Sequence, residues 1–162
     1  MTEQSDAERV EAMLKGLSEL PPVRAISYRG CDQNAQFVRE GQSVATQYLT
    51  PTSGSPAVAL GENPAPLYAI LGNTGRHVAP FSARREENEV VFLPGSLFYL
   101  QSTQVVGDVV VHLVLELDPA APAKLSDQLI PQLFSKVDGA LTSMTPMPPP
   151  PPKAGKYSGD IA

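Results

Sequence analysis

Residues 86–96 read Glu-Glu-Asn-Glu-Val-Val-Phe-Leu-Pro-Gly-Ser, an acidic cluster that runs directly into an apolar segment. Residues 90–92 are β-branched or aromatic, and the Pro-Gly that follows favours a turn. The segment therefore predicts a short buried strand that begins directly after a group of carboxylates.

Glu87 and Glu89 are two residues apart, and in a strand this spacing points both side chains to one face. Two carboxylates held together repel, so they can take different roles in acid–base chemistry. The pair is a candidate catalytic site. A solvated acidic turn ahead of a strand would have the same spacing, so the spacing alone does not decide between the two.

The second half of the chain is rich in strand patterns. Apolar segments separated by Gly, Pro and Asn predict strands at residues 67–71, 89–93, 97–104 and 109–117. A turn is predicted at residues 72–76, because Gly-Asn-Thr-Gly-Arg lacks the Gly-Lys-Ser/Thr ending of a phosphate loop. His112 lies in an apolar strand and is expected to be a hydrogen-bonded histidine of the sheet.

The first half opens with a helix pattern. Apolar residues recur at helical spacing over residues 5–20, namely Val10, Met13, Leu14, Leu17 and Leu20. They predict an amphipathic helix that Pro21-Pro22 ends. Residues 23–28 and 43–49 predict strands, the first of which runs into Arg29-Gly30. Residues 50–56 are dense in turn formers and predict a turn, and residues 57–66 are expected to be an irregular loop.

A single domain is expected over residues 1–145, with a core at about residues 20–118 and a late helix at about residues 124–141. Pro131 should kink or restart that helix, because proline lacks the N–H that a helix interior uses. Residues 146–162 are predicted to form a Pro-rich tail, since five consecutive prolines favour extended backbone.

Charge and cysteine content narrow the classes of function. The formal net charge of −5 argues against a broad electrostatic grip on nucleic acid. Cys31 is the only cysteine, so no internal disulfide can form. His77 and His112 do not pair with Cys31 at a metal-ligand spacing, so no metal site is expected.

The N-terminal residues are polar and acidic, and they lack the basic start and apolar run of a secretory signal. No apolar run is long enough to span a bilayer, so no membrane partner is expected. We expect the chain to act in the cytoplasm, or to be delivered into a target-cell cytoplasm by another segment or a secretion machine.

Three places in the chain stand out in order: Ile-Ser-Tyr-Arg-Gly at residues 26–30, Gln-Tyr-Leu-Thr-Pro-Thr-Ser at residues 47–53, and residues 75–82 followed by the acidic segment 86–96. Together they resemble the R-S-E (arginine, serine, glutamate) class of mono-ADP-ribosyltransferases, which includes many bacterial toxins and effectors. The first place is similar to the opening strand of that family and the second to its aromatic-x-Ser-Thr-Ser element. The third is similar to its substrate loop and its catalytic strand with a Glu-x-Glu motif. The resemblance extends over residues 23–117.

The resemblance implies which residues bind NAD, the substrate of the family. Arg29, with Gly30 after it, is expected to grip the phosphates and the adenosine side of NAD, because a guanidinium is a planar fork suited to a diphosphate. Thr50 and Thr52 stand where the family has serine. They are expected to contact and brace the NAD pocket, and Thr50 to orient the catalytic glutamate.

The resemblance also implies the roles of the two carboxylates. Glu89 matches the catalytic glutamate, which binds the ribose hydroxyl and steadies the cation that forms when the bond to nicotinamide breaks. Glu87 matches the acid that positions the acceptor and helps to deprotonate it. An arginine acceptor needs such a group, because its guanidinium is almost never neutral.

The implied fold is α+β, with two packed, mostly antiparallel sheets, an N-terminal helix and NAD in the cleft between the sheets. The first hypothesis is transfer of ADP-ribose to an arginine of a target protein by a toxin or effector. The alternatives are an NAD glycohydrolase, or a degenerate, non-catalytic NAD-binding or interaction module, which Pro51 would favour. Arg84-Arg85 leave an acidic protein surface or a nucleic acid open as the target, and an immunity or antitoxin protein would be a further partner.

Overall fold

The computed structural model describes residues 2–31, 37, 39–60, 66–81, 85–118 and 128–142. Three α-helices lie in these ranges: α1 over Thr2–Glu19, α2 over Pro56–Leu60 and α3 over Leu129–Thr142. The predicted N-terminal helix is confirmed, and it ends where the two prolines begin. No helix in these ranges is both long and apolar enough to cross a membrane.

Seven strands form the sheet in the described part of the chain: β1 over Pro22–Gly30, β2 over Ser43–Ala45, β3 over Thr50–Ser53, β4 over Leu67–His77, β5 over Glu89–Phe92, β6 over Leu97–Val106 and β7 over Val109–Leu117. Their order is β1-β3-β5-β4-β7-β6-β2, and only the β4–β7 pair is parallel. β1 also pairs with β4, so β1, β3, β5 and β4 close into a ring. The predicted α+β class and mostly antiparallel pairing are confirmed. Two packed sheets were expected, whereas the described strands form one continuous hydrogen-bonded sheet.

β4 is the central strand of the core, because both of its faces are buried. Leu67 and Ala69 belong to the cluster that α2 and α3 cover. Tyr68 and Ile70 alternate with them and belong to a second cluster, which includes Phe92 of β5. Successive side chains of a strand point to opposite faces, so this alternation packs helices on one side of β4 and positions β5 on the other.

The turn predicted at residues 50–56 is wrong for its first four residues, which form β3. This strand pairs with β5 along its whole length, from Thr50 opposite Phe92 to Ser53 opposite Glu89. The β-branched threonines suit a pleated backbone, and strands on both sides supply partners. Tertiary pairing therefore outweighs the turn preference of Pro51.

The turn predicted at residues 72–76 is also wrong, because these residues continue β4. The glycines there serve close packing. A Cβ atom on Gly72 would lie 2.5 Å from Cζ of Phe92, and one on Gly75 would lie 2.6 Å from Cγ1 of Val90. Glycine inside a strand commonly marks such a close approach.

Glu116 supports the same part of β4. The ladder between β4 and β7 ends at Leu71 opposite Leu115. Beyond it, the buried Glu116 carboxylate accepts hydrogen bonds from the backbone N–H groups of Asn73 and Thr74, at 2.6 and 2.7 Å. A side chain thus replaces the partner strand where the ladder stops.

Gly72→Ala should destabilise the fold by about 1–3 kcal/mol, the usual cost of forcing extra atoms into a packed core. The added methyl group would overlap the Phe92 ring and displace β5. Urea unfolding measures the effect. Gly139→Ala is the matched control, because its Cβ would meet nothing within 4 Å and alanine favours a helix interior. An unchanged unfolding midpoint in Gly72→Ala would contradict the packing described for β4 and β5.

Three further expectations meet the structure in part. The strand predicted at residues 43–49 forms only over Ser43–Ala45, and the loop predicted at residues 57–66 begins with α2. The late helix is α3, and Pro131 is its third residue, so it lies in the first turn, where no helical N–H is needed. The predicted tail at residues 146–162 lies outside the described residues.

Candidate active site

Except for Glu87, the residues predicted to form the active site lie on three neighbouring strands, β1, β3 and β5. Tyr28 of β1 is opposite Ser53 of β3, which is opposite Glu89 at the start of β5. Arg29 follows Tyr28 by one residue. Neighbouring strands are about 4.8 Å apart, so the backbones that carry Arg29 and Glu89 are about 10 Å apart across β3.

Arg29 ties the end of β1 to β3. Its side chain is half-buried, and Nη1 donates a hydrogen bond to the Pro51 carbonyl oxygen at 3.0 Å. Gly30, the last residue of β1, is buried opposite Leu67 of β4. The guanidinium is thereby held at the edge of the three-strand row, close to Pro51 of the threonine element, residues 50–53.

The hydroxyl groups of β3 support the backbone on both sides of Glu89. Thr52 is fully buried, and its hydroxyl donates to the Val90 carbonyl at 2.6 Å. The Ser53 hydroxyl donates to the Glu87 carbonyl and accepts from the Ser55 N–H at 3.0 Å. The first strand residues after Glu89 and the turn before it are therefore braced by β3.

Thr50 is the third hydroxyl of this element, and it is buried as well. Its hydroxyl lies 3.5 Å from the Tyr48 carbonyl oxygen, at the limit of a hydrogen bond. Burial leaves Thr50 and Thr52 little surface for a ligand. In this structure they can serve NAD mainly through the strand that they hold in place.

The two carboxylates do not share a strand face, contrary to the prediction. Glu87 ends a 3-10 helix, Arg85–Glu87, and is 2% exposed, whereas Glu89 opens β5 and is half-buried. Asn88 between them has a φ of 51°, in the left-handed region. Asparagine is among the few residues other than glycine that adopt this conformation readily. The alternation rule therefore starts only at Glu89.

Glu89 lines an open groove of about 490 Å³. Its other walls are apolar and come from Met13 and Leu17 of α1, from Leu20 directly after that helix, and from Val78 and Phe81. Arg76 holds the end of α1 in place, because its Nε donates to the Leu17 carbonyl at 3.1 Å. Of the two carboxylates, Glu89 is the one that a ligand in this groove can reach.

His112 lies in the sheet, away from the three-strand row. The predicted sheet histidine, His112, is buried, and its Nδ1 lies 2.8 Å from the Thr103 hydroxyl oxygen. Burial lowers the pKa of His112, which favours the neutral ring. In the described ranges no group of three or more His, Cys, Asp or Glu side chains could hold a metal ion.

Solved structures share this fold. The ADP-ribosyltransferase Vis from Vibrio splendidus matches with a TM-score of 0.58 and 23% identity, over 76% of this chain and 62% of the Vis chain. Exoenzyme S from Pseudomonas aeruginosa matches with a TM-score of 0.57 and 17% identity, over 78% of this chain and 64% of that chain. The chain has the ADP-ribosyltransferase fold.

Sequence similarity points the same way, although no family model matches the chain. Mav of Mycobacterium avium (strain 104), whose name describes an NAD(+)–arginine ADP-ribosyltransferase, is 32% identical over 106 residues. The match covers 62% of this chain and 13% of Mav. The predicted resemblance to ADP-ribosyltransferases is confirmed by both comparisons. The chain spans only a small part of Mav and less than two thirds of the Vis chain.

Two features of this ADP-ribosyltransferase fold were missed in the sequence. Ser53 was included in the threonine element without a role, yet its hydroxyl holds the turn that contains Glu87. The apolar groove beside Glu89 was not foreseen, because its walls come from segments far apart in the chain. The apolar stripe of α1 was the available signal, since it continues to Met13 and Val10, which remain exposed.

Proposed function

We propose that this chain transfers ADP-ribose from NAD to the side chain of an arginine, releasing nicotinamide, and that it acts as a toxin or effector domain. The observation that carries the proposal is the row across β1, β3 and β5. It brings Arg29, the threonine element and Glu89 together in the order that the resemblance implies. The similarity to Mav and the shared fold support it.

The reaction requires a carboxylate beside the ribose, and we assign this role to Glu89. When the bond between nicotinamide and ribose breaks, the electron pair leaves with nicotinamide and positive charge develops on the sugar. A fixed carboxylate stabilises that charge without having to reorganise. Glu89 suits this role because β5 is paired on both sides and the side chain remains accessible from the groove.

The acceptor step forms a bond from a guanidine nitrogen to the ribose carbon and releases a proton from that nitrogen. We assign the removal of this proton to Glu87, as the Glu-x-Glu motif implies. Its carboxylate is buried in the structure, so contact with an acceptor requires a local rearrangement of the turn Arg85–Glu87. Catalytic contacts often tighten only when the substrates are bound.

The ligands of the structural neighbours are consistent with this proposal. Vis has been solved in complex with agmatine, a small molecule that carries a guanidinium group. Exoenzyme S has been solved bound to Carba-NAD and in complex with human 14-3-3 protein beta. We extend to this chain the two chemical classes among these ligands, a nicotinamide dinucleotide and a guanidinium acceptor.

The test is to incubate the purified chain with NAD and agmatine and to measure nicotinamide and ADP-ribosyl-agmatine by chromatography. Putrescine is the matched control acceptor, because it carries an amine in place of the guanidinium. Formation of ADP-ribosyl-agmatine, with none formed on putrescine, is expected. If no nicotinamide is released although NAD binds, the chain is a non-catalytic binding module.

A second candidate is NAD hydrolysis, with water as the acceptor. The burial of Glu87 favours it, because a guanidinium cannot reach that carboxylate in the structure, whereas water needs no such approach. The same experiment separates the two. Release of nicotinamide with only free ADP-ribose as the second product, with or without agmatine, identifies the hydrolase.

Arg29→Ala should weaken NAD binding by about 10- to 100-fold, the usual value of a hydrogen bond to a charged group. The phosphates are present before and during the reaction, so the effect should fall on binding more than on the rate of the bound complex. Calorimetry with NAD measures it. Arg29→Lys keeps the charge but loses the planar fork, and should recover only part of the affinity.

Arg29 also has a structural contact, its bond to Pro51. A thermal unfolding curve of each variant therefore accompanies the calorimetry. If Arg29→Ala folds normally and binds NAD as tightly as the unaltered chain, Arg29 is a structural residue and its assignment to the phosphates is wrong.

A further inference from the structure

The groove beside Glu89 exposes apolar side chains of α1, although an amphipathic helix normally buries its apolar face. Met13 of α1 is 45% exposed, and Leu17 of α1 and Leu20 directly after it are only partly buried. On the opposite wall Phe81 is 75% exposed. Contiguous exposed apolar surface of this kind commonly marks a site of interaction.

The groove combines apolar walls with an acidic residue. Its walls are mostly apolar side chains, and among the described residues Glu89 is the one charged residue that lines it. An arginine side chain matches this combination, because an apolar stem of three methylene groups carries a cation at its end. The groove is also too large for that stem alone, at about 490 Å³. Room remains for the residues on either side of the arginine.

We propose that this groove selects acceptors in which the arginine is flanked by apolar residues, with those residues packing against Met13, Leu17 and Phe81. The inference rests on the proposed transfer function and names its substrate class. The acceptor enters along α1, its guanidinium reaches the ribose that Glu89 activates, and the residues that flank it bury the apolar walls. Arg76 fixes the end of α1 that forms this wall.

Charge complementarity supports a cationic acceptor at this position. The exposed charged residues of α1 over residues 6–19 are Asp6, Glu8, Glu11 and Glu19 against Arg9 and Lys15, a net charge of −2. The whole chain carries −5. Net negative charge on α1, the helix that forms one wall of the groove, favours the approach of a basic partner and disfavours an acidic one.

The experiment compares two nine-residue peptides, each with one central arginine flanked on both sides by two leucines or by two serines. kcat/KM for ADP-ribosylation is measured by mass spectrometry, with agmatine as a third acceptor. Partial burial of the leucine side chains should give the unaltered chain a preference of about tenfold or more for the leucine peptide. Agmatine has no flanking residues, so it reports transfer that does not depend on contacts between such residues and the groove walls.

The variants Met13→Ser and Phe81→Ser, alone and together, remove apolar surface without adding charge near Glu89. The double variant should lose most of the leucine preference and keep its rate with agmatine. Val105→Ser is the matched control, because Val105 is 69% exposed on the β6–β7 hairpin and does not line the groove. If the double variant fails to fold by circular dichroism, each single variant should still lose part of the preference.

The outcomes separate this inference from the function on which it rests. Transfer to agmatine with equal kcat/KM for the two peptides overturns the inference and leaves the transfer function intact. A leucine preference that persists in the folded variants overturns it as well. Absence of transfer to agmatine and to both peptides overturns the proposed function itself. If the peptides are equal and the chain forms a dimer that Phe81→Ser dissociates, a second copy of the chain occupies the groove instead.

Discussion

Glu89→Gln should abolish both ADP-ribose transfer and NAD hydrolysis, with a loss of about a hundred- to a thousandfold or more in the rate of nicotinamide release. Glutamine keeps the shape of the side chain but removes the negative charge that faces the developing cation on the ribose. Both reactions pass through cleavage of the same bond, so both should fall together. Nicotinamide release from saturating NAD, with and without agmatine, measures the effect.

The fold should survive this substitution. Glu89 begins β5, and the neighbouring backbone is held by contacts that do not use its carboxylate, such as the Gly54 N–H that donates to the Asn88 carbonyl at 2.9 Å. Glu86→Gln is the matched control, because Glu86 is an exposed carboxylate three residues earlier. Full NAD hydrolysis by a folded Glu89→Gln protein would rule out the catalytic assignment of Glu89.

Periodicity in the sequence was sufficient to predict the more regular elements of the fold, including β1, which carries Arg29. The strand predicted at residues 109–117 has the same bounds as β7, and the N-terminal helix differs by a few residues. Each of these two segments has a long, regular apolar pattern, and such a pattern predicts its type of secondary structure well. Arg29 was placed at a strand end for the same reason, and β1 does end at Gly30.

Periodicity failed where contacts distant in sequence decide the backbone. Nothing local to residues 50–53 reveals that β1 and β5 lie on either side, and that pairing makes a strand of a segment rich in turn formers. Likewise, Gly72 and Gly75 suggest a turn until Phe92 is seen to need the space above them. Both errors arise because glycine and proline indicate only which local backbone conformations are allowed. The neighbours packed against them determine which conformation is adopted.

The separation of Glu87 from Glu89 has a different origin. A single left-handed residue, Asn88, breaks the two-residue alternation on which the prediction depended. Asparagine at that position was the only local sign, and asparagine in a strand-like run is a weak one. The resemblance to the Glu-x-Glu motif identifies the pair of residues, and the structure shows that they occupy different environments.

Glu87→Gln should separate the two reactions that Glu89→Gln removes together. If Glu87 acts on the acceptor and not on the sugar, transfer to agmatine should fall by about two to four powers of ten, the usual value of one positioned general base. Hydrolysis of NAD should be largely spared, because its acceptor is water and no guanidinium has to be deprotonated. The ratio of ADP-ribosyl-agmatine to free ADP-ribose measures this separation directly, and Glu86→Gln again serves as the control.

The burial of Glu87 makes the alternative outcome equally informative. The side chain is 2% exposed, and the Glu87 carbonyl is held by the Ser53 hydroxyl beside the start of β5. If the turn does not open when substrates bind, the acceptor never reaches the carboxylate, and Glu87→Gln acts only through the position of Glu89. Transfer and hydrolysis would then fall by the same factor. That result would make Glu87 a positioning residue and remove the basis in this motif for an arginine acceptor.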